Sequence, residues 1–407
     1  MDKPPATAGP LTGVTVLDLS RVLAGPWATQ ALADLGAEVI KIERPGAGDD
    51  TRQWGPPFAA RADGGRGDAA YFFAANRGKR SVTVDIARPE GAALVRRLAG
   101  QADILVENFK VGGLKRYGLD YDALAAANPG LVYCSITGFG QTGPDAGRAG
   151  YDYMIQAMGG LMSITGEPGR PPVKVGVAVA DLFAGLYATS AILAALLHAR
   201  ATGEGQHIDI ALFEAQAAML ANQATNWFVS GKVPERLGTA HPNLAPYQPL
   251  PTADGALVVA VGNDRQFQAL CRALEAADLA ADGRFATNAQ RVAHRAELTA
   301  SLEALTSPRT TGELIAALEA AGVPCGPINT VEQVFAEPQA QARGLVVEQA
   351  RDGQPVRTVA SPMRLSRTPV AYTLPPPALG ADTDAVMKAE LGLSQAEIDQ
   401  LRAAGVI

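Results

Sequence analysis

Short apolar runs, each bounded by charged or turn-forming residues, recur through the first third of the chain. TVLDLS (15–20), AEVIKIE (37–43), SVTVDI (81–86), ILVENF (104–109) and LVYCSIT (131–137) are too short for helices and too continuously apolar for half-exposed hairpins, so they predict buried strands. Between them PWATQALADLG (26–36), PEGAALVRRLAGQA (89–102) and YDALAAANPG (121–130) space their apolar residues three and four apart, the pattern of amphipathic helices. Strands alternating with helices of this length predict parallel pairing through crossover connections. The fold class expected is α/β, a Rossmann-like open parallel sheet.

Further on, HIDIALFEAQAAMLANQATNW (207–227) reads as a strand running into a helix, and Lys232–Gln248 then carries three prolines with little periodicity. GALVVAVG, FQALCRALE, AELTASLEALT and TTGELIAALEAAG follow as one strand and a set of helices, a second and smaller α/β unit. The organisation expected is a large domain beginning with residues 1–224, a linker at 225–248, a small domain at 249–330, and a return segment at 331–407 that rejoins the large domain. No internal repeat breaks this scheme.

The stretch Leu182–Leu197 is apolar but interrupted by Gly185, Tyr187, Thr189 and Ser190, and it falls short of a bilayer span, so it predicts a core helix. Asp181 stands at its mouth, and no charged side chain follows until His198 and Arg200. Two readings of that carboxylate compete. It is a helix N-cap that accepts the orphan amide protons of the first turn, or it is a nucleophile that the same amides and the helix dipole keep ionised.

Composition narrows the field. The 407 residues are 47% hydrophobic and 19% charged with a formal net charge of -6, which suits a soluble protein without a basic face for nucleic acid. Three cysteines, far apart and without CxxC or Cys/His spacing, imply neither a disulfide framework nor a metal site. The first ten residues have no apolar leader and no arginine-rich amphipathic pattern, so the cytoplasm is expected and no membrane partner.

Phosphate-binding motifs are mostly missing. GFGQTG (138–143) matches GxGxxG but is followed by PDAGRAGYD rather than a helix, so a pyrophosphate has no helix N-terminus to rest on. There is no GxxxxGK[ST] and no GxSxG. Basic residues at strand ends are more suggestive: Arg44 after EVIKIE, Arg77, Lys79 and Arg80 in NRGKR, Lys115 and Arg116 in GGLKR, and Arg148 in GRAGYD. Each alone reads as a solvated loop cation; together, at the loop end of a doubly wound sheet, they suit a polyanion carrying several phosphates. His241 lies in the proline-rich stretch, and the carboxylates nearest Asp181 in sequence, Asp152 and Glu167, are too distant along the chain to be paired with it.

With these segments assembled, the chain strongly resembles the class III CoA-transferase family, which includes formyl-CoA transferase, carnitine CoA-transferases and the related α-methylacyl-CoA racemases. The resemblance rests on VLDLSRVLAGPWATQALADLGAEVIKIERPGAGDDTR, NRGKRSVTVD, ADILVENFKVGGLKRYGLDY, NPGLVYCSITGFGQTGP and GYDYMIQAMGGLMSITGEPGRPPVKVGVAVADLFAGLYA. In the second half RATGEGQHIDIALFE, GTAHPNLAPYQ, DGRFATNAQRVAHR and AGVPCGPINTVEQVFAEPQ look most like succinate, glutarate and hydroxymethylglutarate CoA-transferases.

The resemblance implies that Asp181 is the nucleophile, passing through a mixed anhydride and an aspartyl-CoA thioester. It implies that Arg44 and Arg116 contact CoA phosphates, that Val84, Asp85, Ile86 and Ala87 cradle the adenine, and that Asn108 and Arg148 also belong to the CoA site. Acyl-CoA, with succinyl-CoA as donor, and a carboxylic acid, a dicarboxylate by preference, are the implied substrates; no permanently bound cofactor and no metal are implied. Leu23 replaces the glutamine that formyl-CoA transferase has near the acyl group, so a formyl or oxalyl substrate is not expected. Tyr151 stands where the racemase branch has a histidine, against two-base proton exchange. Lys174, Arg236 and His241 are candidates for a distal substrate carboxylate. The family fold implies an interlocked homodimer. Two alternatives remain open: a 2-methylacyl-CoA racemase, and a CoA-binding protein without transferase activity.

Overall fold

A computed structural model describes residues 9–61 and 64–407. The expectation that the N-terminus carries no leader therefore falls mainly outside the described residues. The chain divides into two units, residues 1–159, 176–219 and 341–407 in the first, and 160–175 with 220–340 in the second. Residues 160–175, 220–248 and 331–340 thus go with the smaller unit, where the sequence reading has large domain, linker and return segment.

Six strands build the sheet of the first unit, in the order Lys79–Thr83, Glu38–Glu43, Thr15–Asp18, Ile104–Glu107, Val132–Thr137 and Gln206–Ala211. Every neighbouring pair is parallel. Numbered along the chain this is the 3-2-1-4-5-6 order of the doubly wound fold, so the strand order reverses between Thr15–Asp18 and Ile104–Glu107. Ligands of such sheets bind where the loops after those two strands diverge.

Alternation along each strand fills both faces. Val16, Val39, Ile104, Val106, Val132 and Ile136 point into one core with the helices Ala24–Asp34 and Val179–Thr202. Leu17, Ile40, Ile42, Val82, Leu105 and Tyr133 point into the other, which the helix Pro89–Ala99 shares with Val386, Met387, Ile398 and Ile407. The C-terminal helices Thr383–Leu391 and Gln395–Ala403 so complete the large unit's core. The second unit has an antiparallel sheet of Cys325–Pro327, Gly255–Ala260 and Tyr247–Thr252 around its own core of Leu250, Leu257, Phe267, Leu298 and Leu314.

The long helix is less interior than its composition suggests. Ala180, Ala184, Ala188, Ile192 and Leu196 are buried, and Gly185 lets the helix lie against Ala24–Asp34: a Cβ there would stand 2.7 Å from the Ala24 carbonyl oxygen. Its other flank exposes Phe183, Leu186, Tyr187 and, at 73%, Leu197. By length and hydropathy this helix qualifies as a membrane span, as the core helix of a soluble protein also does.

Candidate active site

A cleft of about 850 Å³ opens at the switch point of the large unit's sheet. The loop after the first strand supplies Arg21, Val22 and Leu23; the loop after the fourth supplies Asn108 to Gly113; Gly138, Arg148, Tyr151 and Asp181 close the wall. Gly138 and Gly150 account for part of the GFGQTG and GYD patterns. Their backbones touch, and a Cβ on Gly138 would stand 2.5 Å from the Gly150 Cα. The glycines serve a close backbone approach in the cleft wall.

Asp181 sits in the first turn of Val179–Thr202, three residues past the N-cap Ala178, and makes no capping bond. The capping reading is therefore corrected. The acceptor for that turn comes from another helix: Asp152 Oδ1 accepts the Ala180 amide at 2.9 Å, while its Oδ2 accepts Gln156 Nε2 at 2.8 Å. The expectation that amides keep Asp181 ionised is corrected with it. No hydrogen bond reaches the Asp181 carboxylate among the described residues, and burial, reinforced by the negative charge of Asp152, pushes it up to about 7. Tyr71 is raised in turn, by burial and then by the charges of Asp181 and Asp152.

The loop beside Asp181 is held from below by buried charge. Val22, a β-branched residue, adopts φ +71°, a conformation that L side chains avoid. Its amide donates to both oxygens of Asp49, at 3.2 and 3.3 Å. Asp49 is paired with Lys41 at 2.9 Å, and Lys41 Nζ also donates to the Ser20 carbonyl at 2.8 Å. Asn108 brackets Arg21, accepting from its amide at 2.9 Å and donating to its carbonyl at 2.6 Å. Asp18, 3.0 Å from Lys79, accepts from the Ser20 amide and from Thr29; burial would raise it, but Lys79, Lys41 and the two hydroxyls hold it at about 2. Each polar backbone group of Ser20 and Arg21, and the Val22 amide, thus has a side-chain partner.

The basic residues singled out from sequence divide sharply. Arg116 and Arg148 line the cleft, with Arg21 and Lys110, which sequence reasoning missed. Arg148 pairs with Asp145 at 3.0 Å and Arg21 with Asp50 at 2.9 Å, both pairs exposed. The NRGKR run is corrected from polyanion site to scaffold. Arg77 is buried and bidentate on Asp34, at 2.9 and 2.6 Å; Lys79 is buried on Asp18; Arg80 pairs with Glu38. Arg44 is exposed at the end of Glu38–Glu43, outside the cleft lining, and Val84 is buried in the core. Asp85, Ile86 and Ala87 follow the strand Lys79–Thr83, so they leave the sheet at the same end as the cleft loops. Asn108, Leu23 and Tyr151 line the cleft.

Lys174, Arg236 and His241 belong to the second unit. There Arg236 donates to the Arg170 carbonyl at 2.8 Å, and Lys174 Nζ to the Val175 carbonyl at 2.9 Å. His241 accepts the Asn243 amide on Nδ1 at 3.1 Å, beside Tyr247; burial and then the charge of Arg295 lower its proton affinity. Trp54, also in the cleft lining, packs edge-on against Tyr71. Neither aromatic was found from sequence; the switch-point rule, applied to the loops after the first and fourth strands, would have found Arg21 and Lys110 but gives no signal for the aromatics. Among the described residues no cluster of three or more His, Cys, Asp or Glu side chains is placed to hold a metal ion.

A doubly wound sheet whose switch-point cleft is lined by Asp181 and several cations is the arrangement of a site for an anionic ligand. The chain belongs to CoA-transferase family III, whose sequence profile matches residues 11–383. It is 56% identical over 372 residues to the succinate–glutarate CoA-transferase of Agrobacterium fabrum, covering 91% of this chain and 93% of that one. It is 44% identical to the human succinyl-CoA:glutarate CoA-transferase, covering 98% and 90%. Among solved structures, a CAIB/BAIF family protein from Brucella suis superposes with a TM-score of 0.84 at 53% identity, covering 94% of this chain and all of that one. The protein is a class III CoA-transferase.

Proposed function

We propose that the protein transfers CoA from succinyl-CoA to a dicarboxylate of glutarate's kind, with Asp181 as the covalent nucleophile. The observation that carries this is the Asp181 carboxylate itself, free of hydrogen bonds among the described residues, in a cleft lined by Arg21, Lys110, Arg116 and Arg148. The relatives named for succinate and glutarate supply the substrate pair.

The ionised carboxylate attacks the thioester carbonyl of the donor, and the C–S bond breaks to give a succinyl–aspartyl anhydride and CoA thiolate. The thiolate attacks the aspartyl carbonyl, succinate leaves, and an aspartyl-CoA thioester remains. The acceptor carboxylate displaces the thiolate from that thioester, forming a second anhydride. The thiolate then attacks the acceptor's acyl carbon, releasing the new acyl-CoA and the free carboxylate. No proton is gained or lost overall, and the thioester's energy is retained. Poor solvation favours the first attack, the one in which Asp181 is the nucleophile, because a carboxylate of raised proton affinity is the better nucleophile once ionised. First-turn amides have no partner within their own helix; those of Leu23 and Ala24, in the cleft lining, are suited to the tetrahedral oxyanions.

CoA then runs from Arg116 and Arg148, with Asn108 fixing the Arg21 loop, toward Arg44 and the Val84–Ala87 segment, all at the carboxyl end of the parallel strands. Lys174, Arg236 and His241 remain candidates for the distal carboxylate. The working form is an interlocked homodimer in the cytoplasm, the exposed Phe183, Leu186 and Leu197 of the long helix being a face for the second copy. Trapping tests the mechanism. Incubation with succinyl-CoA followed by hydroxylamine should leave a hydroxamate on Asp181, found by peptide mass spectrometry. No adduct, with solvent deuterium entering the substrate α-carbon instead, would replace transfer by racemisation.

A further inference from the structure

The long helix has no cap of its own. Ala178, at its N-cap, offers no side-chain acceptor, and the helix instead receives Asp152 from the helix Asp152–Met158, through the 2.9 Å bond to the Ala180 amide. Ala180 is the residue immediately before Asp181, so the bond fixes the turn from which the nucleophile projects. Gln156, fully buried, holds the other oxygen of Asp152 at 2.8 Å. Both oxygens are engaged as acceptors, which suits an ionised carboxylate.

We propose that Asp152 is a positioning residue for the transfer reaction: it clamps the first turn of the nucleophile's helix from a neighbouring helix and sets a negative charge against the reacting carboxylate. An N-cap serine or asparagine in the usual place would satisfy the same amide without adding charge. A carboxylate in that place is electrostatically adverse for a buried acid next door, and the arrangement gains meaning only if the acid must be reactive. The raised proton affinity of Asp181, owed first to burial and then to Asp152, agrees with this geometry.

The other groups around Asp181 do not duplicate the effect. Tyr71, from the short helix Ala70–Phe73, is neutral at working pH, its phenol raised by burial and by the two aspartates. Arg21, Lys110, Arg116 and Arg148 across the cleft act in the opposite sense, and Asp50 is engaged with Arg21. The helix Ala24–Asp34 carries Asp34 as its sole ionisable group, at its far end and paired with Arg77; Leu212–Met219 carries only Glu214, which is exposed.

The inference rests on Asp181 being the nucleophile, and the test separates the two ideas. Asp152→Asn keeps an acceptor for the Ala180 amide and removes the charge; Asp152→Ser does so with a smaller side chain should the asparagine variant fold poorly. The kcat/KM of succinyl-CoA for each folded variant is followed from pH 5 to 9, with hydroxylamine trapping of the wild type alongside. The acid limb should move to lower pH, so that relative to its own plateau a variant is several-fold more active at pH 6 than the wild type, while plateau kcat falls and KM for succinyl-CoA stays within about twofold. An acid limb that coincides with the wild type's, with Asp181 still trapped, overturns the role of Asp152. Failure of the wild type to be trapped overturns the nucleophile itself.

Discussion

Replacing Asp181 by asparagine should make the protein more stable at the same time as it abolishes transfer. The carboxyl is raised in the folded chain from 3.8 to about 7, burial first and Asp152 second. Folding therefore favours the protonated form. Below about pH 4 the acid is neutral in both states and costs nothing; the penalty grows as pH rises and is complete above about pH 7. At 1.36 kcal/mol for each tenfold change in proton affinity, the ceiling is about 4 kcal/mol. Solvent in the cleft reduces this, so about 2–4 kcal/mol is expected at pH 8. For a unit of this size that is roughly 4–8 °C in Tm. The assay is thermal or urea unfolding of wild type and Asp181→Asn at pH 5 and pH 8. The variant should gain several degrees at pH 8 and clearly less at pH 5, and show no exchange activity at either. A variant that is no more stable than the wild type at pH 8 would refute the claim that Asp181 is held at a cost in this fold.

Other consequences can be measured independently. Lys79→Met removes the salt-bridge partner of the buried Asp18 and should cost about 3–5 kcal/mol in urea unfolding, most of it recovered when Asp18→Asn is added. Gly138→Ala forces a Cβ to within 2.5 Å of the Gly150 Cα, so the cleft wall must shift; kcat/KM should fall at least tenfold with a Tm loss of a few degrees. Leu197→Arg places a charge on the exposed apolar flank of the long helix, and light scattering after size exclusion should report a loss of dimer if that flank meets a second copy.

Strand and helix identities were legible because local spacing determines them. The runs TVLDLS, EVIKIE and ILVENF are strands, the helices between them hold, and the parallel order follows from crossover geometry. What could not be read is which charges meet. Lys41 interrupts an otherwise apolar strand, and its partners Asp49 and the Ser20 carbonyl become neighbours only once strands pair and loops fold back. Arg77 and Lys79 were misread for the same reason, since Asp34 and Asp18 lie more than forty residues away along the chain. The mixed outcome at NRGKR against Arg116 and Arg148 marks the limit of the strand-end rule. That rule finds the loops at the ligand-binding end, but Lys79 begins its strand and lies beneath the loops.

Asp181 shows why local reading failed at the residue that matters most. From sequence, an acid just before a helix is a cap, and the cap and the nucleophile are then stabilised by the same amides. The helix in fact begins three residues before Leu182, at Val179, and this small offset reverses the electrostatics. An acid at the cap would be solvated by amide protons, ionised easily and weakly basic. Within the first turn it accepts no amide among the described residues, Asp152 takes the Ala180 amide, and burial with that like charge raises its proton affinity. In the proposed mechanism the two carboxylates thereby divide work that one side chain could not do alone: Asp152 takes the amide that stabilises the helix, and Asp181 is left undersolvated and reactive. A capping residue is optimised for ground-state stability, whereas a nucleophile must be held short of it. The separation of these tasks onto two helices lets the fold supply both.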